Sequence, residues 1–390
     1  MPVFTRDRFT WLAYAMLGFY AYIQASLGPL IPFLREEIGM NYTIAGAHLS
    51  AFALGMVLAG MTGDRVARRW GRRRVFWGGG AGMAVGAVLL TFGRSAPATI
   101  AITLGMAIIG SYLLVMIQAT LADRHGANRA FAITESNILA SLAATTAPLV
   151  VSFGQSSGIG WRVALLVGSL AWVLMALTQW KVRLPEAAHA PTTTASAAPA
   201  SASGRLPRAY WAYAIVVFFA VAIEWCIIFW TADFMQKVVG FSAEAASGSV
   251  SLFFLASVIG RAAGSYLTRR YPTGRLLQIA ALIVLVGFPM LWLGRVAAIN
   301  VIGLFLSGLG VANLFPLTLS AATAVAVGNT NRASARISMT SGIGILAMPQ
   351  LLAAAADQIG IQQAFGVGAL LSVGILVVTF YANRLTRKQA

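Results

Sequence analysis

The sequence has little charge and few of the residues that usually hold metals. Of its 390 residues, 10% are charged, one is cysteine and three are histidine, whereas soluble domains carry about 25% charged residues. Cys226 has no second cysteine to pair with, and His48, His125 and His189 are far apart in the chain. This excludes a disulfide framework, a cysteine-based metal site and a histidine cluster. We therefore expect neither a metal nor another cofactor.

Long apolar segments are what the chain has in abundance. Hydrophobic residues make up 58% of it, and its mean hydropathy is +0.78. A helix needs about 20 apolar residues to cross a bilayer core of roughly 30 Å, and lipid accepts apolar surface that a soluble core could not bury. The sequence predicts an all-α membrane protein with twelve transmembrane helices at 10–34, 43–63, 74–93, 97–121, 130–154, 161–181, 209–234, 244–268, 275–294, 297–327, 333–356 and 361–383.

Lysine and arginine give the chain a net charge of +17 and are concentrated in every second gap between the predicted spans. The intervening gaps hold only Arg35, Arg94, Arg162, Lys237 and Arg295. Basic loops are retained in the cytoplasm, so we expect a multi-pass protein of the cell inner (plasma) membrane with both termini cytoplasmic. The charge is spread over short loops, not gathered on one polar domain, so nucleic acid is not expected as a partner.

Residues 184–208 interrupt this pattern. They are rich in Pro, Ala, Ser and Thr and lack apolar periodicity, which predicts a flexible cytoplasmic linker. The linker separates six spans in 1–183 from six in 209–390. A related motif follows the second span of each half, GMTGDRVARRWGRRRV (60–75) and GRAAGSYLTRRYPTGR (260–275). A repeat six spans apart is typical of an internal duplication.

At these motifs the chain resembles the major facilitator superfamily of secondary transporters, whose signature is Gly-x-x-x-Asp-Arg-x-Gly-Arg-Arg. Gly60 and Asp64 fit its first half and Gly71 begins its second, but about one helical turn of extra sequence separates the halves. Matching backwards from Gly71 places Arg68 at the position of the family's aspartate, which leaves open whether Asp64 makes the gate contact. The resemblance implies a cytoplasmic gate formed by Gly60, Asp64, Arg65, Arg68, Gly71, Arg72 and Arg269.

The resemblance also implies an architecture of two six-helix bundles with a midplane site between them, open alternately to each side of the membrane. A narrower likeness, to the fucose-permease-like branch, lies in AVAIEWCIIFWTADFMQ (220–236) and GLGVANLFPLTLSAATA (308–324). That branch often carries a glutamate followed by a tryptophan in helix seven, and a glycine-rich stretch ending in Phe-Pro in helix ten. We expect the protein to work as a monomer.

Two glutamates inside predicted spans are the candidate proton-coupling residues. A charge at the bilayer centre costs roughly 2.5–3.5 kcal/mol on insertion scales, and desolvation favours the neutral acid. Glu224, near the middle of the seventh span, either exchanges a proton or packs, protonated, against another helix. Glu135 lies roughly 9 Å into the fifth helix and is either a cavity residue or a first-turn acid favoured by the helix dipole. We interpret Arg261 as reaching the cytoplasmic surface rather than binding an anion.

Uncharged polar residues within spans are the candidate substrate contacts. In the family fold helices 1, 4, 7 and 10 line the central cavity. The resemblance therefore implies substrate contacts at residues of these helices, and Asn137 lies close to Glu135 in the fifth. Each is alternatively an interhelical hydrogen bond worth about 0.6 kcal/mol, and the tryptophan either stacks on a solute ring or packs. The candidates are Tyr20, Gln24, Tyr112, Gln118, Asn137, Trp230 and Asn313.

The function predicted from these residues is proton symport of a sugar-like or other small polar solute across the lipid bilayer. The alternative is proton-driven efflux of amphipathic drugs or metabolites, for which 10 Trp and 13 Met would suit a larger apolar pocket. A non-transporting membrane sensor is a further reading. We do not expect an enzyme, because the sequence has no zinc-ligand motif, no phosphate-binding loop and no nucleophile with an evident base.

Overall fold

The structure, a computed structural model, describes residues 4–185, 206–326 and 329–387. Most of the predicted linker 184–208, together with His189, lies outside these residues. Across the described ranges the regular secondary structure is entirely helical, and a 3₁₀ turn, Gly126–Asn128, joins the fourth and fifth helices. The α-helices are α1 (Arg8–Ile38), α2 (Tyr42–Trp70), α3 (Arg72–Thr91), α4 (Ala96–His125), α5 (Arg129–Ser156), α6 (Arg162–Gln179), α7 (Arg208–Lys237), α8 (Ala243–Leu267), α9 (Thr273–Leu293), α10 (Ala297–Val325), α11 (Thr330–Ile359), α12 (Ile361–Phe365) and α13 (Val367–Arg387).

The prediction of twelve membrane-spanning helices is confirmed. Twelve helical segments of the described residues are long and apolar enough to cross a bilayer. The twelfth, predicted as 361–383, consists of the short α12 and the longer α13, which meet at Gly366. The Trp292 ring lies so close to Gly366 that a β-carbon there would collide with it. Only glycine therefore fits this junction without displacing the tryptophan.

The second helix ends later than the sequence predicts. The apolar stretch stops at residue 63, but α2 continues to Trp70, and its C-cap Gly71 donates its backbone N–H to the Ala67 carbonyl oxygen. Gly71 has φ +83°, a backbone conformation that glycine adopts without steric cost. The basic segment predicted as a tight loop is therefore mostly helical, since a helix continues past the apolar stretch until a residue ends it.

The chain divides into two compact units. The first contains α1 to α6 and residues 243–251 of α8, where Ser247 Oγ donates to the Pro29 carbonyl oxygen at 3.0 Å. The second contains α7, the remainder of α8, and α9 to α13. In the first unit α1 packs against α5 and α3 against α4, and in the second α7 packs against α11 and α9 against α10. The same helix pairs thus recur six spans apart, as a duplication would produce.

Small residues set the helix spacing inside each unit. At Gly55 of α2, an added β-carbon would lie 2.5 Å from Ala107 Cβ and 2.9 Å from the Ile108 backbone nitrogen of α4. In the second unit, a β-carbon at Gly303 of α10 would collide with the Leu291 backbone of α9. Without a hydrophobic driving force between helices in lipid, close backbone packing is a main source of association energy. These glycines are therefore structural.

We expect Gly55→Ala to lower the stability of the first unit by about 1–3 kcal/mol, because the added methyl group has no space between α2 and α4. Gly105→Ala on α4 is the matched control. A β-carbon at Gly105 meets nothing within 4 Å, and alanine is the better helix former by about 1 kcal/mol. Thermal unfolding of both variants in detergent measures the effect. Equal midpoints for the two variants would show that α2 and α4 do not pack as described.

Candidate functional site

An ion pair lies within the membrane-spanning part of the second unit. Glu224 is about 24 Å along α7 from its start at Arg208, and its side chain is 18% exposed. Its Oε1 is 3.8 Å from Nη2 of Arg261 on α8, whose side chain is 49% exposed. The Arg261 guanidinium is thus turned toward a carboxylate inside the span, and the interpretation that Arg261 reaches the cytoplasmic surface stays a prediction. The sequence analysis did not predict that these two residues lie close together.

The α8 backbone beside Arg261 is held by Asn313 of α10. Asn313 Nδ2 donates to the Gly260 carbonyl oxygen at 2.6 Å. One turn further along α8, a β-carbon at Gly264 would collide with the Asn313 amide, so glycine at 264 permits the contact. We define the charged cluster as Glu224, Arg261 and Asn313. Of the predicted substrate residues, Asn313 is the one in this cluster, where it positions the arginine-bearing turn.

Two predicted substrate residues, Trp230 and Tyr20, are buried in helix packing. Trp230 is 0% exposed, and its Nε1 donates to the Pro349 carbonyl oxygen of α11 at 3.0 Å. Tyr20 is 2% exposed, and its hydroxyl is 3.0 Å from Ser111 Oγ on α4. In this conformation neither side chain presents a surface to a solute. Their contacts are those of interhelical packing, and the substrate role stays a prediction.

The other predicted substrate residues lie in the first unit and also contact protein groups. Gln24 Nε2 is 3.4 Å from Met56 Sδ, and the Tyr112 hydroxyl is 2.9 Å from Thr62 Oγ1. Asn137 donates to the Ile133 carbonyl oxygen of its own helix at 2.9 Å. Both Asn137 and Gln118 are exposed. The substrate role of these four residues stays a prediction.

Glu135, the second candidate for proton coupling, is part of an ion-pair network that joins α1 to α5. Arg6 donates to its two carboxylate oxygens, from Nη2 at 2.6 Å and from Nε at 2.9 Å, and the Tyr14 hydroxyl donates at 3.0 Å. The hydrogen bonds to Glu135 raise the pKa of the Arg6 guanidinium above its ordinary value. Three donors to one carboxylate stabilise its ionised form. Glu135 is therefore held by direct hydrogen bonds between α5 and the start of α1, whereas Glu224 faces Arg261 at 3.8 Å.

Asp7 extends this network to α4. It caps α1 by accepting from the Thr10 backbone N–H at 2.8 Å and the Thr10 hydroxyl at 2.7 Å, and Arg124 Nε donates to it at 2.8 Å. Burial opposes the ionisation of Asp7, but these hydrogen bonds outweigh burial and hold its pKa below the usual range. Sequence reasoning missed this residue, although an aspartate just before an apolar run is a recognised N-cap signal.

Three of the predicted gate residues, Asp64, Arg68 and Arg72, form ion pairs. Asp64 pairs with Arg68, four residues along the same helix. Arg72 pairs instead with Asp123 near the end of α4, with Nη1 and Oδ2 2.6 Å apart. The sequence analysis did not include Asp123 among the gate residues. The signal that could have identified it is that it is an acidic residue in an otherwise basic gap between spans.

The extra helical turn in α2 explains this arrangement, because it brings Asp64 and Arg68 onto one face. The remaining gate candidates, Gly60, Arg65, Gly71 and Arg269, are exposed. The gate role of the whole set stays a prediction.

Twelve apolar helices whose pairing repeats after six spans are the architecture of a secondary transporter. The profile of the Major Facilitator Superfamily matches residues 10–326, and the chain belongs to this family, as the motifs predicted. An uncharacterised MFS-type transporter of Yersinia pestis is 27% identical over 374 residues, which cover 93% of this chain and 92% of that protein. The protein is therefore a membrane transporter of small solutes, and its family points away from an enzyme.

Solved structures show the same fold. The nucleoside transporter NupG superimposes with a TM-score of 0.75 at 15% identity, over 97% of this chain and 98% of that one. A D-xylose–proton symporter superimposes with a TM-score of 0.73 at 12% identity, over 96% of both chains. A bacterial homologue of the human lysosomal transporter Spinster gives 0.73 at 14% identity, over 98% of both. At these identities the likeness is one of fold alone.

We expect Asp7→Asn to destabilise the protein at about pH 7 by a few tenths of a kcal/mol to about 1 kcal/mol. Asparagine still caps the helix but removes the charge that faces Arg124. Because the pKa of Asp7 is lowered by folding, its stabilising effect is present above the unfolded-state pKa of about 3.9 and is lost as the pH falls through the folded-state pKa. The difference in unfolding midpoint between native protein and variant should therefore shrink toward about pH 3.

In an Arg124→Gln background, the same Asp7→Asn change should cost less at about pH 7. A midpoint difference that is the same at both pH values, with and without Arg124, would contradict a charge-based role for Asp7.

Proposed function

We propose that the protein is a proton-coupled symporter of a small polar solute, with Glu224 as the residue that binds and releases the proton. The observation that supports this is the ion pair between Glu224 and Arg261 inside the span, with a separation of 3.8 Å. That distance exceeds the 2.7–3.2 Å of a direct N–H···O hydrogen bond, so the carboxylate is not locked to its partner. A carboxyl group that changes protonation inside the membrane is a standard coupling device in transporters.

The contacts of the two glutamates favour Glu224 over Glu135. Glu135 receives hydrogen bonds from Arg6 and Tyr14 at 2.6–3.0 Å, so protonation would disrupt a network that ties α1 to α5. Glu224 faces one guanidinium at a longer distance. Protonation of Glu224 therefore disrupts fewer contacts than protonation of Glu135 would, and we assign proton coupling to Glu224 alone.

Two further points favour symport over efflux of amphipathic compounds. One structural neighbour is described as a D-xylose–proton symporter, which supports proton symport of a small polar solute by a protein of this fold. A larger apolar pocket would suit efflux, but Trp230, a predicted substrate contact that could have stacked on an aromatic solute, is 0% exposed. The narrower likeness to the fucose-permease-like branch stays a prediction.

We also propose the orientation and organisation implied by the basic gaps. The termini and the linker 184–208 would lie in the cytoplasm of a bacterial-type cell, with 1–183 and 209–390 as the two halves of a transporter that works by alternating access. The basic gaps between α2 and α3 and between α4 and α5 would face inside.

Reporter fusions test this orientation. We expect green fluorescent protein fused after residue 390 to fluoresce, and alkaline phosphatase inserted at Gly158, in the gap between α5 and α6, to be active. Phosphatase inserted at Gly71, between α2 and α3, should be inactive because that gap is basic and retained inside. The reverse pattern at Gly158 and Gly71 would overturn the orientation.

Transport into liposomes tests Glu224. The purified protein is reconstituted with a pH-sensitive dye inside, and sugars, organic acids and lipophilic cations are added outside. We expect at least one polar solute to acidify the interior, and Glu224→Gln to abolish this acidification because glutamine cannot carry the proton. Glu36→Gln, at an exposed glutamate near the end of α1, is the matched control and should retain it.

The direction of the proton flux separates the alternatives. Alkalinisation on addition of lipophilic cations would indicate antiport, and therefore efflux. Uptake of a labelled solute that Glu224→Gln performs as well as the native protein, without any pH change, would make Glu224 structural and refute the proposed coupling.

A further inference from the structure

A polar groove opens at the end of the second unit where α9 begins and α13 ends. It consists of two adjoining cavities of about 640 Å³ and about 550 Å³, and Gln278 and Asn383 line both of them. We propose that this α9–α13 groove binds an anionic phospholipid, whose phosphate lies between Arg275 and Arg384. The proposal goes beyond the proposed function, because it concerns the lipid around the transporter and holds for either direction of transport.

Both arginines of the groove are placed to bind a phosphate. Arg275 lies in the first turn of α9 and lines the larger cavity, and Arg384 lies in the last turn of α13 and lines the smaller one. Both residues are exposed. A planar guanidinium offers paired N–H donors that match phosphate oxygens. Gln278 in both cavities, and Ser320 of α10 in the larger one, supply neutral polar groups.

The acidic residues of the second unit lie far along its helices from this groove. They are Glu224, Asp233 and Asp357. Glu224 lies roughly 17 Å further along α7 than Tyr213, which lines the groove, and Asp233 lies further still. Asp357 lies roughly 40 Å along α11 from its start at Thr330, and that start follows the end of α10 that lines the groove. These carboxylates therefore do not balance the positive charge of the groove.

The arginines at the corresponding end of the first unit are bound by their own chain. There α3 and α6 are the counterparts of α9 and α13, six spans earlier. Arg72 of α3 pairs with Asp123. Arg73 donates to the carbonyl oxygens of Trp180 and Val182, just past the end of α6. The acceptors of these two arginines are thus groups of the protein itself.

In the second unit a neutral side chain makes the equivalent contact between helices. Asn383 of α13 donates its amide to the Gly274 carbonyl oxygen of α9 at 2.9 Å and accepts from the Tyr213 hydroxyl of α7 at 3.0 Å. This contact joins α13 to α9 and α7 without using Arg275 or Arg384. The duplication thus leaves two arginines beside a cavity, where the anions that a membrane supplies are lipid headgroups.

The apolar side of the groove favours a lipid over a soluble anion. Val377, Phe380 and Tyr381 line the smaller cavity and are exposed on α13. Val377 lies two helical turns from Arg384, roughly 10 Å further into the span, which is the direction that an acyl chain takes from a headgroup at the membrane surface. Basic pockets between helices at a membrane surface are typical binding sites for anionic lipid headgroups. A soluble phosphate would use the arginines and make no use of this apolar surface.

Native mass spectrometry of the whole protein in an uncharged detergent tests the site. The probe is dioleoyl phosphatidylglycerol, and dioleoyl phosphatidylcholine, which has the same chains but no net charge, is its comparison. We expect the native protein to retain phosphatidylglycerol more strongly than phosphatidylcholine. Arg275→Gln combined with Arg384→Gln should weaken the retention of phosphatidylglycerol about tenfold to thirtyfold, because two cations that attract the anionic headgroup are lost.

Arg270→Gln combined with Arg332→Gln is the matched control. Both arginines are exposed in the same unit and lie outside the linings of the two cavities, so the control loses the same charge and should bind as the native protein does. If the double variant of the groove unfolds, Arg384→Gln alone takes its place and should weaken retention about fivefold. Equal retention by the groove variant and the control, or equal retention of the two lipids by the native protein, would overturn the proposal.

Glycerol 3-phosphate separates a lipid headgroup from a soluble phosphate of the same chemistry. We expect a large excess of it not to displace phosphatidylglycerol, because it lacks the acyl chains that would contact α13. Displacement at concentrations equal to those of the lipid would indicate a site for soluble anions and overturn the lipid assignment. These measurements use no ion gradient, so their outcome is independent of whether Glu224 couples transport to protons.

Discussion

The absence of water in a bilayer core is the constraint on which the rest of this structure depends. Each backbone N–H and C=O within it must be paired locally, which leaves helices as the spanning elements of the described residues. Charged side chains are consequently found at the helix ends, where Arg6, Asp7, Arg124 and Glu135 form a network that ties α1 to α4 and α5. Inside the span, close contacts at glycines such as Gly55 replace the hydrophobic effect as the force between helices.

The ion pair of Glu224 and Arg261 is an exception, because its two charged side chains lie inside the span and not at the helix ends. Glu224 Oε1 on α7 and Arg261 Nη2 on α8 lie 3.8 Å apart within the membrane-spanning part of the second unit. The Asn313 contact to Gly260 fixes the turn that carries the arginine. We propose that the Glu224 carboxyl group of this pair binds and releases the transported proton.

Sequence reasoning predicted the number of spans, the family and the repeat six spans apart, because each rests on local properties of the chain. It also picked out Glu224 as a candidate for proton coupling, a role that stays a prediction, since an ionisable residue in an apolar stretch is visible without a structure. It placed the end of α2 too early, because hydropathy follows the bilayer whereas a helix continues until a residue such as Gly71 ends it. It missed Asp123 as the partner of Arg72, because family motifs describe one stretch of sequence and this pair joins two.

The sequence by itself therefore determined that this is a twelve-span transporter. A helix in lipid satisfies its own backbone hydrogen bonds, so a spanning helix can be recognised from the length and apolar composition of one segment. Only the tertiary structure decided which polar groups meet. Arg261 of α8 faces Glu224 of α7 at 3.8 Å, and Trp230 and Tyr20 are buried because neighbouring helices cover them. Contacts between helices depend on the crossing angle of the helices and on the depth of each residue in the membrane, and no local pattern of residues encodes either.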